Sequence, residues 1–235
     1  MKVYRQVQGL VVTIIGPVGV GKSTQIRELE KYFRSRDQRV LVTFIKTNHV
    51  LSYIVRRSLM TVGLQENVSY SDGITRVFLR RDIVRKLFPL LSYLDTISII
   101  VKFLITVYIP FYLGSTILIE EGLAMTLQTY LMSYPFFYGT EPKVLPFLPR
   151  LLSWTVNKKH LTIVIDAVDE ELDRRRKSRS CRRDEVPEFV SLQRKGIRLL
   201  DCGNTVFINT TNGTVESVHK EITKAIEKAY SKRTT

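Results

Sequence analysis

The sequence predicts an α/β domain built on a mostly parallel sheet. Three observations support this. Five short runs of β-forming residues, near 11–15, 40–45, 116–119, 161–165 and 205–208, alternate with longer runs of helical periodicity. The second of them, RVLVTFIK from Arg39 to Lys46, is continuously apolar in its middle, the pattern of a strand buried on both faces. The third observation is the turn after the first strand, VVTIIGPVGVGKST from Val11 to Thr24.

That turn has the spacing of a phosphate-binding P-loop. Glycines let successive backbone N–H groups face inward around a polyphosphate, and the following helix points its positive end at the same charge. Gly16, Pro17, Val18, Gly19, Val20, Gly21, Lys22, Ser23 and Thr24 are the expected nucleotide-binding residues. Lys22 is placed to reach the β- and γ-phosphates as a catalytic cation, and the Ser23 hydroxyl to hold Mg²⁺.

Composition sets the outer bounds. The chain has 235 residues, 44% of them hydrophobic, enough for one domain with a full core, so a disordered basic tail is excluded. Its formal charge of +14 attracts phosphorylated ligands, nucleic acid or an acidic membrane without choosing among them. The two cysteines, Cys181 and Cys202, have no metal-ligand spacing, and no secretory leader is evident, so a reducing, cytoplasmic setting is expected. His49, His160 and His219 are scattered, which gives a histidine metal site little support.

Taken in order, Ile26, Leu29 and Phe33 form the apolar stripe of the helix after the loop. Residues 49–62 are helical and carry Arg56 and Arg57. A polar break, QENVSYSDG, precedes a long helical region from Thr75 to about Tyr112, in which Pro89 and Pro110 predict breaks. Arg76, Arg80, Arg81 and Arg85 open that region, and its later part is apolar on most faces, as in a core helix or a homodimer interface. Between Lys102 and Glu120 lie 17 uncharged residues. A membrane span of that length is at the short limit, and Pro110, Gly114, Ser115 and Thr116 favour a buried helix, a turn and a buried strand. Peripheral membrane contact is the other reading.

The third strand, Thr116 to Ile119, ends in Glu120 and Glu121. Acidic residues at a strand's carboxyl end are where an open α/β site places a Mg²⁺-linked or base carboxylate. A solvated strand end is the plain alternative. A helix over Leu123–Tyr134 leads to an irregular stretch, Pro135 to Pro149, either a pocket wall or a surface connection. The fourth strand, Leu161 to Ile165, ends at Asp166 and runs into DEELDRRRKSRSCRR, with Arg174, Arg175, Arg176, Arg179, Arg182 and Arg183. In a nucleotide-binding fold this run suits a catalytic lid over about 171–186, where guanidinium groups meet charge on the transferred phosphoryl oxygens. A solvated face, or a patch for RNA or membrane, is the alternative. Pro187 begins another helix, with Phe189, Leu192 and Leu199 along one side. Thr205 to Ile208 is the fifth strand. The closing amphipathic helix, Thr214 to Tyr230, has Val215, Val218, Ile222, Ala225 and Ala229 on one face.

The C-terminal half carries a family resemblance. LTIVIDAVDEELDRRRKSRS resembles the segment of thymidylate kinases in which a strand ends in aspartate and enters an arginine-bearing lid. PEFVSLQRKGIRLL and TVFINTTNGTVESVHKEITKAI resemble that family's next helix, last strand and closing helix, in order. With GPVGVGKST the likeness spans most of the chain, weakest over 47–112 and 130–158. The resemblance implies a P-loop NTPase three-layer sandwich with a five-stranded parallel sheet in order 2-3-1-4-5, as a single domain over residues 1–235. It also implies ATP and Mg²⁺ as cofactors, a nucleoside monophosphate as substrate, homodimers, and phosphorylation of dTMP to dTDP.

Departures from the family pattern fall on the acceptor side. Thymidylate kinases usually carry an acidic residue just before the middle glycine of the loop; here it is Val18. A Glu-Pro-Gly strand end is expected after the second strand, where this chain has IKTNHV. The third strand is expected to end in Asp-Arg, whose arginine helps hold the acceptor, but here the pair is Glu120 and Glu121. Glu120 then joins Ser23 as a metal-site residue, Glu121 falls at the acceptor, and Arg56, Arg80 and Arg81 are candidates for the missing cation. Arg174, Arg175 and Arg179 are the lid arginines expected at the transfer. The alternative is a P-loop ATPase or non-catalytic nucleotide-binding protein acting with nucleic acid, membrane or a protein partner.

Overall fold

The computed structural model describes residues 9–46, 50–69, 75–133, 135, 139, 160–178, 187–199 and 204–231. Its elements are β1 (Val11–Ile15), α1 (Lys22–Arg34), β2 (Val40–Phe44), α2 (Val50–Thr61), β3 (Gln65–Ser69), β4 (Thr75–Leu79) and α3 (Arg81–Phe103), which continues through a π-helical turn, Leu104–Tyr108, into α4 (Ile109–Tyr112). There follow β5 (Thr116–Glu120), α5 (Gly122–Gln128) with a second π-helical turn, Thr129–Ser133, then β6 (His160–Asp166), α6 (Asp169–Lys177), α7 (Pro187–Leu199), β7 (Thr205–Asn209) and α8 (Val215–Ser231).

Five strands form one parallel sheet in the order β2-β5-β1-β6-β7. Counting only these strands, that is the expected 2-3-1-4-5. Alternate residues of the central strands feed two cores. Val12, Ile14, Leu118, Ile163 and Ile165 pack with Ile26, Leu29 and Phe33 of α1 and Val218, Ile222 and Ile226 of α8. Val11, Ile117 and Ile119 face Ile99 and Phe103 of α3, Val107 of the π turn and Leu123 and Leu127 of α5. Each fully buried aliphatic side chain of this kind contributes about 1.5–3 kcal/mol. The result is a helix–sheet–helix sandwich.

Some expectations change. β2 is an edge strand, with Val42 41% and Phe44 55% exposed, so its apolar run does not mark burial on both faces. The side chain of Phe44 instead lies under the Lys102 ammonium, 3.5 Å from the ring centre, and burial lowers the pKa of that lysine. The break at QENVSYSDG and the expected helix start at Thr75 are an antiparallel hairpin, β3–β4, running from Gln65↔Leu79 to Ser69↔Thr75. Pro89 does not break α3. It lies on the exposed side of the helix, where water can take the carbonyl that its missing N–H leaves unbonded.

The uncharged stretch after Lys102 is the end of this helical element, a turn at Gly114 and the buried strand β5. By length and composition Arg81–Tyr112 is long and apolar enough to cross a membrane, and 44% of its most apolar window is buried in the protein. On α7 the buried residues are Val190, Gln193 and Ile197, while Leu192 is half-buried and the side chains of Phe189 and Leu199 lie outside the described residues. On α8, Val215 is exposed, and Val218, Ile222 and Ile226 form the buried stripe. The stretch after Pro135 lies almost wholly outside the described residues.

Candidate functional site

The site is assembled at the carboxyl ends of the strands, where β1 turns into α1. Gly16 has φ +153°, and a Cβ there would stand 2.0 Å from the carbonyl oxygen of Ile165. The loop therefore passes directly against the backbone of β6, which only glycine permits. Gly21 takes a left-handed conformation, φ +104°, at the N-terminus of α1, leaving that helix end without a side-chain cap and open to an anion. The amide of Val18 donates to Oε1 of Gln193 on α7, at 3.4 Å.

Lys22 is nearly buried, at 6% exposure, and folds back over the loop. Its Nζ donates to the carbonyl oxygens of Gly16 at 2.9 Å and Pro17 at 3.1 Å. It also approaches Oε1 of Glu121 at 3.8 Å, whose other oxygen is 2.9 Å from Nζ of Lys46, just beyond β2. Glu121 thus joins the loop lysine to a second lysine in the segment that follows β2. Its backbone has φ +72°, a conformation rarely adopted by side-chain-bearing residues, and its amide still donates to the carbonyl of Ile14 at 3.0 Å. A strained backbone held by its neighbours is a feature that clusters at functional sites.

The expected metal pair is brought together. Ser23 Oγ donates to Oε1 of Glu120 at 2.6 Å. Among the described residues no group of three or more His, Cys, Asp or Glu is gathered. One hydroxyl and one carboxylate fit Mg²⁺, which keeps several waters and takes further oxygens from nucleotide phosphates instead of from an all-protein cage. His160 has a structural place, its Nε2 2.8 Å from Thr13 Oγ1 between β6 and β1.

The arginines separate by position. Arg175 reaches the loop: its guanidinium donates to Val20 O at 3.2 Å, to Thr210 Oγ1 at 3.1 Å and to Thr210 O at 2.6 Å. Glu171 holds two arginines of α6, at 2.7 Å from Arg174 and 2.6 Å from Arg175. Those hydrogen bonds, Arg174's first, lower the Glu171 carboxyl to about 2. Arg174 remains largely exposed, and Arg179 lies outside the described residues.

Arg80 forks onto Asp82 and Arg81 lies 3.6 Å from Glu66 on β3, so their ion partners are on the hairpin and the start of α3. Arg56 is carried on α2. Asp166, at the end of β6, grips Arg194 of α7, which also bonds Asp169 and the carbonyl of Ala167. Burial opposes the charge on Arg194, but the hydrogen bonds it donates to these carboxylates outweigh it and raise its pKa. Lys46, Gln193, Thr210 and Glu171 are the contacts of this corner that were not singled out from sequence.

No protein-family model matches the sequence, and no curated protein is significantly similar to it. Solved structures are similar. The thymidylate kinase from Candida albicans, described as revealing the origin of broad substrate specificity, superposes with a TM-score of 0.57. The match is 14% identical and covers 94% of this chain and 92% of that one. The chain has the fold of a thymidylate kinase. A thymidylate kinase from Ehrlichia chaffeensis is 15% identical over 93% of this chain and 98% of that one, with a TM-score of 0.48. On the thymidylate-kinase fold, the Gly16–Thr24 loop, Ser23 and Glu120 sit together at the strand ends, beside the Lys22–Glu121–Lys46 trio.

Proposed function

We propose that this protein is an ATP-dependent nucleoside monophosphate kinase, with dTMP to dTDP as its reaction. The observation that carries the reading is the convergence at one corner of an intact P-loop, the Ser23–Glu120 pair and two lysines, on a thymidylate-kinase fold. In this reading the loop amides and α1 hold the donor polyphosphate, and Lys22 meets charge at its β/γ end. Ser23 and Glu120 are the residues that would hold Mg²⁺, which when bound neutralises phosphate charge. Arg175 ties α6 to the loop, and Arg174 and Arg179 are the lid cations proposed to close over the transfer.

The test is a coupled assay of ADP formation with ATP and a panel of nucleoside monophosphates. ADP forming only when a monophosphate is present, fastest with dTMP, is the expected result. Equal ADP formation without any acceptor, or stimulation only by RNA, DNA or lipid, defeats the kinase reading in favour of a P-loop ATPase.

We also propose a homodimer through the outer face of α3 and α4. Leu90, Tyr93, Ile97, Val101, Ile105 and Tyr112 stand exposed there at helical spacing. A standard stable interface buries about 800 Å² on each partner. Light scattering is expected to give twice the 27.2 kDa chain mass, and a monomer at all working concentrations would refute it.

A further inference from the structure

We propose that Lys46 is the cation that receives the acceptor's phosphate, and that Glu121 fixes it at the edge of the donor site. The inference rests on the kinase reading above and names the missing half of its site.

The donor side is bounded by β1, β6 and β7: the loop lies on Ile165, and Arg175 ties Val20 to Thr210. Across the loop, on the β2 and β5 side, the corner is made by Lys46 and Glu121. A phosphoryl group leaving a donor held by Lys22 must meet an acceptor on that opposite side, and an anionic acceptor needs a cation there. Glu121 supplies the wrong sign.

Burial resolves the sign. The side chain of Glu121 is 11% exposed, whereas that of Lys46 is 57% exposed, and 2.9 Å separates the two charges. The carboxylate therefore lies behind the ammonium, and a ligand approaching from solvent meets the lysine first. Glu121 is shared by two ammonium groups, one on each oxygen, so the trio keeps a net positive charge. Lysine has a flexible four-carbon stem, and a buried partner is what turns such a chain into a fixed anchor.

The sequence departures fit together on this view. Where the family pattern has an acid after the second strand and an arginine after the third, this chain has Lys46 and Glu121. The structure pairs them with each other. Acid and cation thus stand at these two positions in exchanged order, with the cation at the β2 end.

Titration calorimetry of the full chain, with dTMP and with thymidine as probes, tests the assignment. Wild-type protein is expected to hold dTMP at least about tenfold more tightly than thymidine, the worth of one charge-assisted contact to phosphate. Lys46→Ala should bring dTMP down to the thymidine value while leaving thymidine binding as it was, and Lys46→Arg should keep most of the preference. In turnover, KM for dTMP should rise more than kcat falls. A Lys46→Ala protein with the wild-type preference for dTMP would overturn the assignment, as would a wild-type protein with no preference. Binding of dTMP through Lys46 without formation of dTDP would defeat the proposed activity and leave Lys46 as the phosphate anchor.

Discussion

Lys22→Ala is expected to lower phosphoryl transfer by about 10²- to 10³-fold, the cost of removing one preorganised cation from developing charge. The side chain is nearly buried and already aimed over the loop by the carbonyls of Gly16 and Pro17. Little reorganisation is then needed for its Nζ to turn from those oxygens to a polyphosphate. Truncation also takes one of its two lysines from Glu121, leaving Lys46 to hold a largely buried carboxylate. The loss should therefore appear in kcat/KM for ATP together with a modest drop in stability, both measurable on one preparation. A variant within threefold of wild-type kcat/KM would place Lys22 away from the transferred group.

Gly16→Ala should be the more damaging change to the fold. Its Cβ would stand 2.0 Å from a backbone oxygen of β6, which cannot rotate away as a side chain can. Relief requires separating the loop from β6, an interior strand of the sheet, at a cost of about 3 kcal/mol or more. Gly21→Ala makes the useful contrast. It too has positive φ, at +104°, but nothing lies within 4 Å of the added Cβ. Only the backbone strain is charged there, about 1–2 kcal/mol. Urea unfolding of both variants should give the larger loss at Gly16. The reverse order would mean that the loop does not pack on β6 as described.

The sheet was legible because parallel strands leave local, continuous apolar signatures, and the loop because its chemistry lies within nine consecutive residues, Gly16 to Thr24. What strand order does to exposure was not local. Val42 and Phe44 are as apolar as the residues of a central strand and stand at an edge. The β3–β4 hairpin was hidden by Gln65, Glu66 and Asn67, polar residues that suggest a loop, although Asp72-Gly73 between two short runs is a hairpin sequence. Pro89 suggested a break because sequence alone does not say which side of a helix meets water.

At the site, Ser23 and Glu120 could be paired from their positions at the ends of neighbouring elements. Lys46 was overlooked even though it too follows a strand's carboxyl end, the rule that had drawn attention to Glu120 and Glu121. Its significance needs the ion pair to Glu121, and no spacing rule connects residues so far apart in the chain. The same is true of Gln193 on the Val18 amide and of Thr210 under Arg175.

The proposed reaction transfers a phosphoryl group from ATP to a nucleoside monophosphate at this corner. Phosphorus NMR of the full chain with ATP, Mg²⁺ and dTMP follows the group itself. dTDP and ADP are expected to rise together in equal amounts with no inorganic phosphate. Inorganic phosphate appearing in step with ADP while dTMP stays unchanged would contradict it.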